Sequence, residues 1–114
     1  MITVEDFDRI EMRVGRIVEA LPFPEARKPS YRLRIDFGPT LGERLSSAQL
    51  TRTYPDPAAL VGRPVVAVLN LPPRRIAGLA SEVLVLGAMG QGSAAGEVWL
   101  LRPDPDAPLG SRIG

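Results

Sequence analysis

Two pairs of adjacent basic residues are the clearest candidates for binding chemistry in this 114-residue sequence. Arg27 and Lys28 stand just before Pro29, and Arg74 and Arg75 follow two consecutive prolines that stiffen the chain. A guanidinium group is planar and can hold a phosphate or a carboxylate through two parallel hydrogen bonds. Each pair therefore indicates either an anion contact or an ordinary solvated loop, and the local pattern favours neither.

Other polar residues form a second group of candidates. Ser81 and Glu82 enter the apolar run 83–86 and could hydrogen-bond a base edge or a peptide backbone. The local pattern slightly favours an internal role, in which Glu82 pairs with an arginine and Ser81 satisfies a nearby loop. Further neutral donors and acceptors are available from Ser46, Ser47 and Gln49.

The composition argues against an enzyme. Histidine and cysteine are both absent, which removes the usual general base near neutral pH, the commonest zinc ligand and any thiol nucleophile. No Gly-rich phosphate loop follows a strand, and Asp104 and Asp106 lie among prolines, where a turn explains them. We predict a non-catalytic protein with no metal and no cofactor. Its net charge is only +1, so affinity for an anionic partner would depend on local clusters of arginine.

Length and hydropathy predict one cytoplasmic domain that spans residues 1–114. Residues 1–7 are acidic and carry no basic segment followed by an apolar run, so a signal peptide is not expected. No stretch approaches the roughly 18 consecutive apolar residues of a membrane span. The absence of cysteine gives no support to an oxidising compartment.

The secondary structure is predicted to be almost entirely β. Apolar and polar residues alternate over short spans, and 11 glycines and 12 prolines leave no room for a long helix. Thr3 is expected to cap a short N-terminal helix with Val4, Phe7 and Ile10 on its apolar side, and Gly15 predicts a bulge or bend in the first strand. The other predicted elements are strands at 31–37, 43–50, 65–69, 83–86 and 98–101, a helical turn at 58–61 and a flexible loop at 90–96.

This element order predicts an all-β fold. Five bent antiparallel strands with a short helix between the third and the fourth fit a five-stranded Greek-key barrel. A small β-sandwich fits the same strand count equally well, and the pattern alone does not separate the two.

A series of short motifs runs along the whole chain in a fixed order. The motifs are Asp6-Phe7, Met12-Arg13-Val14-Gly15-Arg16-Ile17, Asn70-Leu71, Arg74-Arg75, Gly78, Ser81-Glu82 and Pro108-Leu109-Gly110-Ser111-Arg112-Ile113. In this order they resemble the tRNA-binding domain of some methionyl- and phenylalanyl-tRNA synthetases and of free-standing RNA-binding proteins. The segments 26–31, 46–51 and 81–87 most resemble its free-standing CsaA branch. The resemblance implies the OB-fold form of the Greek-key barrel.

The CsaA branch implies a homodimeric molecular chaperone of protein export, which binds unfolded precursor polypeptides in the grooves of the dimer. The alternative is a tRNA- or RNA-binding protein that uses the same groove and the basic loops. For either ligand, the implied binding residues are Arg27, Lys28, Ser46, Ser47, Gln49, Asn70, Arg74, Arg75, Ser81 and Glu82. The resemblance also places the N-terminal helix and the C-terminal segment at the subunit contact, through Val4, Phe7, Ile10, Leu109 and Ile113.

Overall fold

The computed structural model describes residues 1–114 as a chain of short strands with little helix. The helix α1 covers Val4–Asp8, and single turns of 3-10 helix lie at Pro57–Leu60 and Gly92–Ala94. No helix here combines the length and the apolar character that crossing a membrane requires. The strands are β1 Met12–Pro22, β2 Tyr31–Asp36, β3 Glu43–Ala48, β4 Pro64–Val68, β5 Arg74–Ile76, β6 Leu79–Ser81, β7 Leu84–Val85, β8 Gly87–Met89 and β9 Val98–Leu100.

A capping box holds the first turn of α1. The Thr3 hydroxyl accepts a hydrogen bond from the Asp6 backbone N–H at 3.2 Å, and the Asp6 carboxylate accepts one from the Thr3 N–H at 3.0 Å. The expected cap at Thr3 is therefore confirmed. The helix is shorter than expected, because it ends at Asp8 and leaves Ile10 beyond it on the way to β1.

The long strand β1 organises the main sheet. It pairs antiparallel with β4 through residues 12–16 and with β2 through residues 16–22. The complete order is β3-β2-β1-β4-β7, and β3 in turn contacts β6 and β7. The five antiparallel strands thus form a nearly closed barrel. This confirms the all-β, OB-type fold and decides against the sandwich.

The bend in β1 depends on Gly15 and on a bulge that follows it. A Cβ at Gly15 would lie 2.6 Å from Cε1 of Phe37 and 2.7 Å from Cγ2 of Ile35, closer than atoms can approach. The register shift itself falls between Ile17 and Glu19. The predicted bend is confirmed, but the role of Gly15 is to let the Phe37 ring pack against the backbone of β1.

The barrel encloses one apolar core. The C-terminal segment is hydrogen-bonded along one edge of the first half of β1. The Gly110 N–H donates to the Val14 carbonyl at 2.8 Å, and the Ile113 N–H donates to the Met12 carbonyl at 2.9 Å. This segment therefore takes the edge of β1 that β2 leaves free. The fully buried core side chains include Ile17, Leu33, Ile35, Phe37, Leu60 and Val65.

Two tyrosines link the barrel to its last strand. The Tyr31 hydroxyl donates to the Tyr54 carbonyl at 2.7 Å, and the Tyr54 hydroxyl accepts from the Leu100 N–H in β9 at 3.1 Å. Burial, together with the charge of Asp56, raises the pKa of the Tyr31 phenol above its ordinary value. The phenol therefore keeps the proton that it donates.

The region after β4 differs from the sequence-based prediction. Arg74 and Arg75 were expected in a loop, but they lie on β5, which forms a hairpin with β6. The two residues of its turn, Ala77 and Gly78, have φ of 47° and 87°, as a type I′ turn requires. Alanine rarely adopts a positive φ, so nothing in the sequence indicated this turn.

The last two predicted strands are shorter than expected. The run 83–86 contributes only Leu84–Val85 to the main sheet, and β8 pairs with β9 in a separate two-stranded ladder. The segment 90–96 was predicted to be a flexible loop, and it contains the 3-10 turn Gly92–Ala94.

The substitution Gly15→Ala should destabilise the barrel. The added methyl group would collide with Phe37 and Ile35, and overpacking a core in this way costs about 1–3 kcal/mol. The free energy of unfolding from urea titration measures the effect. Gly114→Ala is the matched control, since nothing lies within 4 Å of the Cβ it would add. Equal stability of the two variants would contradict the role assigned to Gly15.

Candidate ligand-binding face

Two loops that are far apart in sequence meet at one open pocket. One is the connection from β1 to β2, residues 23–30, and the other is the turn between β5 and β6. The pocket is an open surface depression of about 350 Å³. Its lining residues are Phe23, Glu25, Arg32, Ala77, Gly78 and Leu79.

Both predicted basic pairs lie on the elements that wall this pocket. Arg27 and Lys28 are exposed in the 23–30 loop, two and three residues beyond Glu25. Arg74 and Arg75 are exposed on β5, and the Arg75 guanidinium donates to the Gly78 carbonyl at 3.3 Å. The four predicted cations thus lie on the two elements that meet at this pocket, although none of them is among its lining residues.

Arg32 adds a fifth cation, and its neighbour Arg34 does not. The alternation of apolar and polar residues in the predicted strand 31–37 puts both arginines on its polar face, where they are expected to face solvent. Arg34 pairs with Glu43 at 2.7 Å and with Glu19 at 3.7 Å, and the hydrogen bond from Arg34 to Glu43 raises the pKa of the guanidinium further. Arg32 has no carboxylate partner, and its guanidinium lies over the Phe23 ring, 5.7 Å from the centroid. Arg32 therefore keeps its charge available to a ligand.

Ser81 and Glu82 close the barrel. The Glu82 carboxylate accepts the Leu45 N–H of β3 at 3.0 Å, while the Leu45 carbonyl accepts the Glu82 N–H at 2.8 Å. The Ser81 hydroxyl oxygen accepts the Ser47 N–H at 2.9 Å. The favoured internal role fits this geometry, although the partner of Glu82 is the backbone of β3 and not an arginine. Both side chains replace the carbonyl oxygens that a neighbouring strand would supply.

Two other predicted polar residues also form hydrogen bonds within the chain. Ser46 is 1% exposed, and its hydroxyl donates to the Val83 carbonyl at 3.0 Å. Asn70 is exposed; its amide oxygen accepts the Glu11 N–H at 2.9 Å and its amide N–H donates to the Arg9 carbonyl at 2.7 Å. Asn70 therefore ties the end of α1 and the start of β1 to the end of β4, and it keeps one N–H donor beyond these contacts.

The remaining two candidates lie nearer the surface. Ser47 stands directly across from Arg32 on the outer face of the β2–β3 pair. Gln49 is exposed just beyond the end of β3. Ser47 therefore shares the face that carries Arg32.

A second pocket, of about 280 Å³, lies between the β2–β3 turn and the C-terminal segment. The charged residue in its lining is Arg13. The Arg13 guanidinium pairs with Glu11 at 3.3 Å and donates to the Gly110 carbonyl at 3.1 Å. With its cation already engaged, this pocket is a weaker candidate than the first.

Sequence reasoning missed the residues that line the first pocket. Phe23 and Glu25 are adjacent to Arg32 only because β1 and β2 pair Leu21 with Arg32. The register depends on the bulge in β1, which the sequence does not locate. The alternation along β2 did place Arg32 on the outer face, and this was the available signal.

The nearly closed five-stranded barrel and its flanking loops define a domain of OB type. A family model, the tRNA binding domain, matches residues 12–112. The chain belongs to this family, and it is of the CsaA type that its motifs resembled.

Solved structures and one curated relative agree with this assignment. The CsaA chaperone of Bacillus anthracis is 47% identical with a TM-score of 0.90, covering 100% of this chain and 99% of the other. The CsaA chaperone of Picrophilus torridus is 44% identical with a TM-score of 0.88, covering 100% of both chains. A methionine–tRNA ligase of Aromatoleum aromaticum is 36% identical over 98% of this chain, which spans only 16% of that enzyme.

Removing the carboxylate of Glu82 should lower the stability of the barrel. We expect Glu82→Ala to cost about 1–3 kcal/mol, because it leaves the part-buried Leu45 N–H without an acceptor. Glu82→Gln retains an acceptor oxygen and should cost less. Urea unfolding measures both variants. If instead Glu82 contacts ligand, its variants should lose affinity at unchanged stability.

Proposed function

We propose that this protein is a non-catalytic binding protein of the cytoplasm that holds flexible RNA of the tRNA class. The observation that carries this proposal is that five cations lie on the elements that form one pocket, with Arg32 in its lining. They come from the 23–30 loop, from β2 and from the β5–β6 hairpin, and none has a carboxylate within 4.0 Å. They are Arg27, Lys28, Arg32, Arg74 and Arg75.

The arrangement suits an RNA backbone better than it suits a peptide. Net charge is only +1, so this local excess is an asymmetry of the surface and not a property of the whole chain. Phosphates repeat along an RNA strand, and guanidinium groups on two separate rims can each bind one of them. The match to the tRNA binding domain supports the same ligand class.

Replacing Arg74 and Arg75 by alanine should weaken tRNA binding and reduce its salt dependence. Hydrogen bonds to charged groups contribute about 1.5–3 kcal/mol each, so we expect a loss of roughly tenfold or more. Each phosphate contact contributes about −0.7 to the slope of log affinity against log salt for a single strand. The slope of the double variant should therefore be shallower by about 1.4. Fluorescence anisotropy with labelled bulk tRNA at low and physiological salt measures both quantities.

Arg16→Ala/Arg102→Ala is the matched control, because it removes the same charge elsewhere. Arg16 and Arg102 are exposed and form no ion pair. In the backbone register of β1 with β2, Arg16 stands opposite Asp36, at the end of β2 remote from Arg32. An equal loss of affinity in both double variants would mean that net charge alone attracts the RNA. Binding by the wild type that is independent of salt would contradict the proposal.

A second candidate function is binding of unfolded precursor polypeptides in protein export. The observations that favour it are the full-length similarity to two CsaA chaperones and an apolar residue on the same face. Leu21, 45% exposed, lies directly across from Arg32. The same titration with an unfolded presecretory polypeptide tests this function. Salt-tolerant polypeptide binding together with weak tRNA binding would make the protein a chaperone.

We also propose that the protein is a homodimer joined through α1 and the C-terminal segment. The Arg112 guanidinium donates to the Asp8 carbonyl at 2.7 Å, which holds the two segments side by side. Val4 and Ile10 are 73% and 41% exposed on this surface, more than isolated apolar residues need be. The half-buried apolar residues that continue it are Phe7, Leu109 and Ile113.

Introducing charge on this surface should produce monomers. Val4→Glu/Ile10→Glu would place two carboxylates in an apolar contact, where an unpaired charge is strongly unfavourable. Sedimentation equilibrium measures the mass, and removal of residues 1–8 should have the same effect. Val61→Glu, at an exposed apolar residue beyond the 3-10 turn, is the control. An unchanged dimer mass would contradict this contact and place it elsewhere, for example at the exposed apolar residues Leu84, Trp99 and Leu101.

A further inference from the structure

The pocket between the two loops contains one carboxylate among its cations. Glu25 and Arg32 line the same pocket, yet neither forms an ion pair with any residue. Arg34, two residues further along β2, does form ion pairs, with Glu19 and Glu43. The charges of Glu25 and Arg32 are thus available to opposite parts of one ligand.

The geometry of the 23–30 loop keeps Glu25 at the pocket. The Phe23 N–H donates to the Ser30 carbonyl at 3.1 Å, and the Ala26 N–H donates to the Phe23 carbonyl at 3.2 Å. These bonds close the loop at its base and turn the backbone at Glu25. The Phe23 side chain, 5% exposed, packs below Arg32 and supports it.

Arg32 provides a flat platform. Its guanidinium group lies over the Phe23 ring, and the residue is exposed on its other side. RNA-binding proteins hold unstacked bases on aromatic rings and on guanidinium planes. The pocket volume of about 350 Å³ leaves room for a planar group on this platform.

The signs of the charges determine which part of a nucleotide enters. A phosphate would be repelled by Glu25 and attracted to the rims, where Arg27, Lys28, Arg74 and Arg75 are exposed. A base carries no charge and can enter the pocket. A carboxylate accepts hydrogen bonds from exocyclic amino groups, such as N4 of cytosine, and has no donor for the O4 of uracil.

We propose that this pocket binds one unstacked RNA base that carries an exocyclic amino group. Arg32 stacks on the base, and Glu25 accepts the hydrogen bond from the amino group. Glu25 is then a specificity-determining residue of the ligand-binding face. This inference rests on the proposed RNA-binding function and adds a base preference to it.

Short oligocytidylate and oligouridylate test the proposal, because the two bases differ at the edge that Glu25 would contact. The wild type should bind labelled oligocytidylate about fivefold or more tightly than oligouridylate in fluorescence anisotropy. Glu25→Gln should abolish this ratio, since an amide can accept from cytosine and donate to uracil. Removing the negative charge changes phosphate attraction equally for both oligomers, so the ratio isolates base recognition.

Two further variants and the tRNA titration complete the experiment. Arg32→Lys should weaken both oligomers similarly by removing the planar platform, and Glu97→Gln, which removes the same charge elsewhere, should leave the ratio unchanged. Equal binding of both oligomers by the wild type, or a ratio that persists in Glu25→Gln, would overturn the base pocket while tRNA binding stood. If the wild type binds neither oligomer nor tRNA but does bind the polypeptide, the proposed RNA function is overturned as well.

Discussion

The bend of β1 is the constraint on which the rest of the structure depends. One strand of 11 residues must pair with β4 over its first half and with β2 over its second half. It can do so because Gly15 lets Phe37 pack against its backbone and because a bulge follows Ile17. The edge that β2 leaves free is covered by the C-terminal segment. A straight β1 would leave both the barrel and this edge open.

Barrel closure has a different physical basis from the strand pairing within the sheet. Backbone ladders join β3, β2, β1, β4 and β7. The other edge of β3 is joined to the end of β6 largely through the side chains of Ser81 and Glu82. A serine and a glutamate that look like ligand contacts in the sequence therefore serve the fold. Their bonds also hold the β5–β6 hairpin beside β3, so that its turn reaches the 23–30 loop.

Ion pairing distinguishes arginines that look alike in the sequence. Arg13 and Arg34 are held by carboxylates, and Arg112 donates to a backbone carbonyl. Arg32 and Arg74 have no such partner, and Arg16 and Arg102 elsewhere on the surface have none either. Arg32 differs from these because it also lines the pocket. Counting charges along the sequence could not reveal this, because both pairing and position are decided only in the folded chain.

Much of the fold could be predicted from the sequence. Alternation indicated β2 and the outward side of Arg32, and Thr3 indicated the cap of α1. These signals succeed because strand periodicity and helix capping are local. The barrel was preferred to the sandwich through the family resemblance and not through the residue pattern. The β5–β6 hairpin escaped prediction because its turn uses Ala77 at a positive φ, which the surrounding fold enforces.

The candidate site was predicted only in part, because its geometry depends on contacts between residues distant in sequence. The basic pairs Arg27-Lys28 and Arg74-Arg75 were identified from residue type alone. The elements that carry these pairs meet at the pocket that Glu25 and Arg32 line, and the bulge in β1 sets the register of Leu21 with Arg32 there. The sequence by itself determined which groups could bind a ligand. The tertiary structure decided which remain free to do so, since a hydrogen bond between residues distant in sequence is settled only when the chain is folded.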